Sequence, residues 1–148
     1  MKISNFKFQI SNCNGQSLFE VIFAMAIAAL VLIAAVSLAT SSVRNATFAR
    51  NQTYAARFAQ EATEWFRQER DSDWDIFYTN AIGDICLSSL SWGTTPPCTV
   101  PIPGTIFYRQ AQLTPGIDLV DTSVAVSWTD SNGIHEVRNA TRFTYWRR

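Results

Sequence analysis

Sixteen consecutive apolar residues, Val21 to Val36, constrain this chain more than any other feature. Ser37, Leu38 and Ala39 extend the run, and no charge occurs between Glu20 and Arg44. As a helix, residues 21–39 rise about 1.5 Å each, roughly 28 Å in all. A bilayer's hydrocarbon core is about 30 Å thick, so the stretch suits one membrane span. A helix buried in a soluble core would show a polar face, and this run has none. Lys2 and Lys7 precede it, which predicts a cytoplasmic N-terminus.

No Gly or Pro occurs from Gln16 to Ala81, so nothing obliges the helix to stop where the apolar run ends. The pattern instead turns amphipathic. Tyr54, Ala55, Phe58, Ala59, Ala62, Trp65 and Phe66 recur at three- and four-residue steps. Arg57, Gln60, Glu61, Glu64, Arg67 and Gln68 fill the other face. Arg57 and Glu61 stand four apart, and Glu64 and Arg67 three apart, so both pairs are expected to meet on the surface. This predicts a helix to about Arg70, its second half lying on one side of a small domain.

From about Asp71 the helical period is lost. All five prolines lie between Pro96 and Pro115. Ile106 to Leu113 and Ile117 to Val120 read as short strands. Val124, Val126 and Trp128 alternate with Ala125, Ser127 and Thr129, the clearest strand in the chain. Asp130-Ser131-Asn132-Gly133 follows, with Asn-Gly expected to form a type I′ hairpin turn. Ile134 to Tyr145 is then the return strand. Its alternation falters at Asn139 and Ala140, where a bulge is expected.

The formal charge is zero, twelve Lys plus Arg against twelve Asp plus Glu, and the mean hydropathy is +0.01. Both averages conceal a split. Residues 1–60 carry five cations against Glu20 alone, a net of +4. Residues 61–148 carry seven Arg against eleven acids, a net of −4. The composition excludes a collagen-like or disordered chain, a multi-span transporter and a basic nucleic-acid module.

Of three cysteines, Cys13 precedes the span and Cys86 and Cys98 follow it. The latter two would face an oxidising exterior that permits a disulfide. Closing that loop would stabilise the fold by roughly 3 kcal/mol in the chain-entropy model. The other reading is two unpaired small hydrophobes. A zinc site fits poorly, because the pair has only the distant His135 for company. Cys13 is no lipobox cysteine, since it precedes the apolar run.

The boundary reads Gly15-Gln16-Ser17-Leu18-Phe19-Glu20, then the run from Val21. It resembles the prepilin signature of type IV pilins and type II secretion pseudopilins. The likeness covers about residues 13–40 by motif and is architectural beyond. It implies cleavage after Gly15 by a membrane-embedded prepilin peptidase and N-methylation of Gln16. It implies that Glu20, the fifth mature residue, pairs with the α-amine of a neighbouring subunit during assembly. The implied fold is α+β and pilin-like: a long N-terminal helix, transmembrane in its first half, packed on a small C-terminal antiparallel β-sheet. The implied partners are the prepilin peptidase, other pilin subunits through the N-terminal helix, an inner-membrane assembly platform and membrane lipid. No cofactor and no nucleic acid are expected. The stretch Val124 to Val137 looks most like V-type minor pilins and I-type pseudopilins. One departure is Gln16 where the family usually has Phe, because a free N-terminal glutamine can cyclise and lose its charge.

The residues themselves support that reading. Gly15 has no side chain, so the following peptide bond can lie extended in a protease cleft. An acid at the bilayer centre costs about 2.5–3.5 kcal/mol on insertion scales, and less at the edge. Near a helix start Glu20 also faces the positive dipole end. The chain is thus expected to comprise a leader (1–15), an assembly helix (16–39), an amphipathic continuation (40–70) and an exported β-rich head (71–148). Removing Lys2 and Lys7 with the leader leaves ten cations against twelve acids, a net of −2. A pilus subunit is the first expectation and a secretion pseudopilin the second. A third is a soluble binding domain released by signal peptidase after Ser37-Leu38-Ala39, a small-x-small site.

Other signals are weaker. Asp71, Asp73 and Asp75 alternate as at the start of a calcium loop, but Ile76 and Ile82 stand where an EF-hand needs Gly and Glu. A solvated helix end is the simpler reading. His135 beside the hairpin reads as a surface residue. No catalytic triad, phosphate loop or dinucleotide fingerprint is present in the sequence, so no enzyme is expected. Arg138, Arg142, Arg147 and Arg148 could form a basic strip, but the acidic half around them disfavours phosphate binding. Trp65, Trp74, Trp92, Trp128 and Trp146 are expected in the core and interfaces.

Overall fold

A computed structural model describes residues 18–145. The element order is helix α1 (Leu18–Ser72), helix α2 (Trp74–Asn80), then strands β1 (Gly83–Cys86), β2 (Tyr108–Gly116), β3 (Leu119–Asp130) and β4 (Gly133–Thr144). The chain divides into two compact units, Met1–Arg44 and Asn45–Arg148. Within the first, α1 is apolar on every side. Within the second, the rest of α1 packs on the sheet in an α+β, pilin-like arrangement.

Helix α1 ends at Ser72 because Asp73 leaves helical geometry, with φ −156° and ψ 111°. Its carboxylate accepts from the Ile76 backbone N–H at 3.0 Å, which starts α2. A short second helix therefore occupies residues where no helical period was expected. Seven residues are too few for a period to register.

The four strands form an antiparallel meander in the order β1-β2-β3-β4. The β2–β3 turn consists of Ile117 and Asp118, closed by Gly116 opposite Leu119. Ile117 to Val120 is thus not a strand from its first residue. Ile117 is 92% exposed, and Asp118 takes a φ of 55°, which Asp tolerates better than most residues. At the β3–β4 hairpin Asp130 pairs with Gly133, so Ser131 and Asn132 form the turn. Positive φ falls on Gly133, at 122°, and not on Asn132. The expected type I′ turn on Asn-Gly is therefore replaced by a frame shifted one residue back. The Asp130 carboxylate fixes that frame by accepting from the Asn132 N–H at 2.7 Å. The expected bulge at Asn139 and Ala140 is absent, and the β3–β4 register runs unbroken from Leu119↔Thr144 to Asp130↔Gly133. Asn139 keeps its inward place because its amide donates to Thr63 Oγ1 on α1 at 3.2 Å.

The core lies between α1 and one face of the sheet. Ala55, Ala59, Ala62 and Phe66 of α1 are fully buried. Three alanines on that face bring the helix axis close to the sheet. Val120, Val124, Val126 and Trp128 face them from β3, with Ala111 and Leu113 from β2 and Phe143 from β4. The period-2 burial along β3 is what the alternation of Val and Trp with Ser and Ala dictates. Tyr54, expected on the inner face, is 44% exposed. Trp65, Trp74 and Trp92 pack against the core cluster. Trp146 lies outside the described residues.

Candidate assembly segment

Gly15 and Gln16, the expected cleavage and methylation residues, and Cys13 before them lie outside the described residues. Helix α1 carries Glu20 in its first turn. A carboxylate in a first turn faces the positive end of the helix dipole, which favours its charge. Behind Glu20 the side chains have no cover: Leu18 is 77% exposed, Phe19 76%, Met25 68% and Ile33 67%. Phe19 and Phe23, one turn apart, stack with centroids 6.4 Å apart and planes 13° from parallel. At the far end the Thr40 hydroxyl donates to the Val36 carbonyl at 2.9 Å. That bond turns the Thr40 hydroxyl onto the helix's own backbone.

The chemistry available to this segment is adhesive rather than catalytic. An α-helix satisfies its backbone internally, so it can lie in hydrocarbon. Its apolar surface has no stable place in water and needs lipid or other apolar helices around it. Glu20 gives it one directional polar group at its end.

The second unit carries a disulfide. Cys86 and Cys98 are joined across a sequence separation of 12, with Cα atoms 5.3 Å apart. The bond ties the end of β1 to the long connection before β2. The same connection is held at Cys86, whose N–H donates to the Thr94 carbonyl at 2.7 Å.

The remaining candidates resolve into structural roles. Asp71 meets Arg70 at 2.7 Å and Asp73 caps α2. Among the described residues no group of three or more His, Cys, Asp or Glu is placed to hold a metal ion. His135 is not a plain surface residue. Its ring sits 5.0 Å from Phe48 and 5.3 Å from Trp128, and Nε2 lies 2.9 Å from Asp130 Oδ1. Asp130 is held below the usual carboxylate range, first by the Asn132 N–H and then by His135. Arg138 pairs with Glu136, and Arg142 grips Asp121 with two bonds of 2.7 and 2.9 Å. Arg147 and Arg148 lie outside the described residues. Glu64 pairs with Arg67 as expected, whereas Glu61 pairs with Arg109 rather than Arg57. The sequence carried a signal for that buried arginine. Arg109 shares the strand parity of Phe107, Ala111 and Leu113, so it had to face inward with them.

No curated protein and no solved structure matches the chain. The family comparison bears on the assembly segment itself. Residues 10–36 match the prokaryotic N-terminal methylation motif, so this chain carries the signature of type IV pilins and pseudopilins.

Proposed function

We propose that the chain is a minor pilin of a type IV pilus, a structural subunit. Prepilin peptidase cuts it after Gly15 and methylates the amine of Gln16. The apolar helix then carries it from the membrane into the filament, and Glu20 docks against the new N-terminus of a neighbouring subunit. The observation that carries this reading is the methylation motif at residues 10–36, continuous with a helix whose first half is apolar on every side. The head's disulfide supports export, because such bonds persist outside the reducing cytoplasm. Cleaving before the run, and not after it, leaves the apolar helix attached to the mature protein.

Intact mass of protein extracted from membranes tests this. The expected species begins at Gln16 and carries one methyl group. A species beginning at Thr40 would make the head a released soluble domain and overturn the reading. Labelling of the head on surface filaments then separates a pilus subunit from a secretion pseudopilin.

A further inference from the structure

The second unit, Asn45–Arg148, has two opposed outward surfaces, and their charges differ. On α1, Arg50 and Arg57 are both exposed, and neither has an acidic partner among the described residues. They stand seven residues apart, two helical turns, so they share one face about 10.5 Å apart. The opposite surface is the face of the sheet that turns away from α1. Small residues on β3, Ser123 and Ala125, leave a depression of about 180 Å³ there. Gln110, Gln112, Glu136 and Arg138 wall it, with Asp84 at its β1 side. Glu136 and Arg138 satisfy each other. Asp84 does not share in this: its Oδ1 is buried and has no hydrogen-bond partner. A buried carboxylate oxygen without a donor is uncommon, and what it lacks is a cationic or N–H donor.

Spacing agrees with charge. Asp84 is opposite Gln112, which is opposite Ser123, two residues from Asp121. Two strand spacings and one two-residue step put Asp84 and Asp121 about 12 Å apart, and Asp121, already held by Arg142 through both oxygens, keeps further lone pairs for a second donor. That is close to the separation of the two arginines.

We propose that the outer face of the sheet, at the depression around Asp84, receives Arg50 and Arg57 from a second copy of this chain. The contact rests on the assembly reading and adds to it a surface on the head. It joins two different surfaces, so it is heterologous. Such contacts, when they do not close on themselves, generate open helical filaments. A guanidinium fits the role, because its planar fork donates to carboxylate and amide oxygens together.

The test uses the full-length chain in phosphatidylcholine vesicles, whose neutral surface does not compete for arginine. Copies bear donor or acceptor dyes on Ser131→Cys in a Cys13→Ser background, and energy transfer reports association. Association is expected to weaken with salt, and by about tenfold in Arg50→Glu/Arg57→Glu and in Asp84→Arg. Combining the two charge reversals is expected to restore it. Asp84→Asn, a near-isosteric change, is expected to weaken association several-fold and guards against misfolding of Asp84→Arg. Association indifferent to these variants and to salt, or a combined variant no better than the weaker single, overturns the proposal. Failure of cleavage after Gly15 in cells overturns the assembly reading and leaves the vesicle result unchanged, so the two failures are distinguishable.

Discussion

Arg109 on β2 reaches across the helix–sheet interface to Glu61 on α1, Nη1 to Oε2 at 3.2 Å, with its own side chain only 2% exposed. The same guanidinium donates to the Leu87 carbonyl at 2.9 Å and the Phe58 carbonyl at 3.1 Å. One side chain thus ties together α1, β2 and the connection after β1. Burial lowers the Arg109 pKa and Glu61 opposes that shift, but an arginine stays protonated throughout the physiological range. The pair is asymmetric, since Glu61 is 48% exposed.

The asymmetry orders three substitutions. Arg109→Ala orphans the Leu87 carbonyl, takes the second donor from the Phe58 carbonyl and leaves a cavity, and should cost about 3 kcal/mol. Arg109→Met refills the volume and should cost about 1–2 kcal/mol, because an apolar replacement of a buried ion is often tolerated. Glu61→Gln keeps an acceptor near Arg109 and should cost about 1 kcal/mol or less. Urea unfolding midpoints of the three variants check the order. Glu61→Gln proving the worst would mean that the ion pair, and not the carbonyl contacts, holds the interface.

The Asp130 carboxylate predicts an acid-side dependence. Its folded pKa is depressed by the Asn132 N–H and by His135. A depressed carboxylate stabilises the fold above its unfolded pKa of about 3.9, and that contribution is lost as pH falls through the lower folded value. Wild type should therefore lose stability more steeply than Asp130→Ala below about pH 4. Thermal midpoints at pH 7, 5, 4 and 3 would show the two curves converging. Parallel curves would mean that the hairpin turn is insensitive to this charge.

The disulfide has a close neighbour with its own prediction. A Cβ built on Gly93 would lie 1.8 Å from the Cys86 carbonyl oxygen, a backbone atom that cannot swing away. Gly93→Ala should displace the connection and break the Cys86 N–H to Thr94 bond of 2.7 Å. Removing both sulfurs, Cys86→Ala with Cys98→Ala, should cost roughly 3 kcal/mol by loop entropy. Both changes act on β1, a four-residue edge strand, so β2 to β4 should keep their amide protection in hydrogen exchange. Protection lost equally across all four strands would show that β1 belongs to the same cooperative unit.

The long-range pattern of the fold was readable from side-chain periods, and its local frames were not. An unbroken apolar run, a Gly- and Pro-free continuation and the alternation of Val124, Val126 and Trp128 each impose one geometry on many residues. The hairpin frame instead turns on one bond, Asp130 Oδ1 to the Asn132 N–H, which outweighs the Asn-Gly preference. Asn139 broke the alternation on paper only, because Thr63 supplies its partner from a residue far away in sequence. Arg109 was hidden for a related reason. Its inward parity was visible, but the carbonyls of Leu87 and Phe58 that make burial tolerable come from other elements. At the N-terminal segment the motif was legible because its residues are contiguous. The acceptor depression around Asp84 was not, because β1, β2, β3 and β4 each contribute to it.

Glu20 carries the last prediction. It stands in the first turn of α1, at the edge of the apolar run, where the helix dipole favours its charge. If that were its whole purpose, Glu20→Gln would insert and assemble nearly as wild type, because exposed dipole contacts are worth about 0.3–1 kcal/mol. If Glu20 pairs with a neighbour's α-amine inside an apolar helix bundle, losing the charge leaves that amine unpaired in low dielectric, at several kcal/mol. Glu20→Gln and Glu20→Ala should therefore both insert into membranes and be cleaved after Gly15, yet enter filaments far less well. Glu20→Asp keeps the charge on a shorter arm and should recover part of the incorporation. The checks are membrane fractionation for insertion, intact mass for cleavage, and immunoblotting of sheared filaments for incorporation. Normal incorporation of Glu20→Ala would remove the pairing from the mechanism and leave the apolar helix as the sole determinant of assembly.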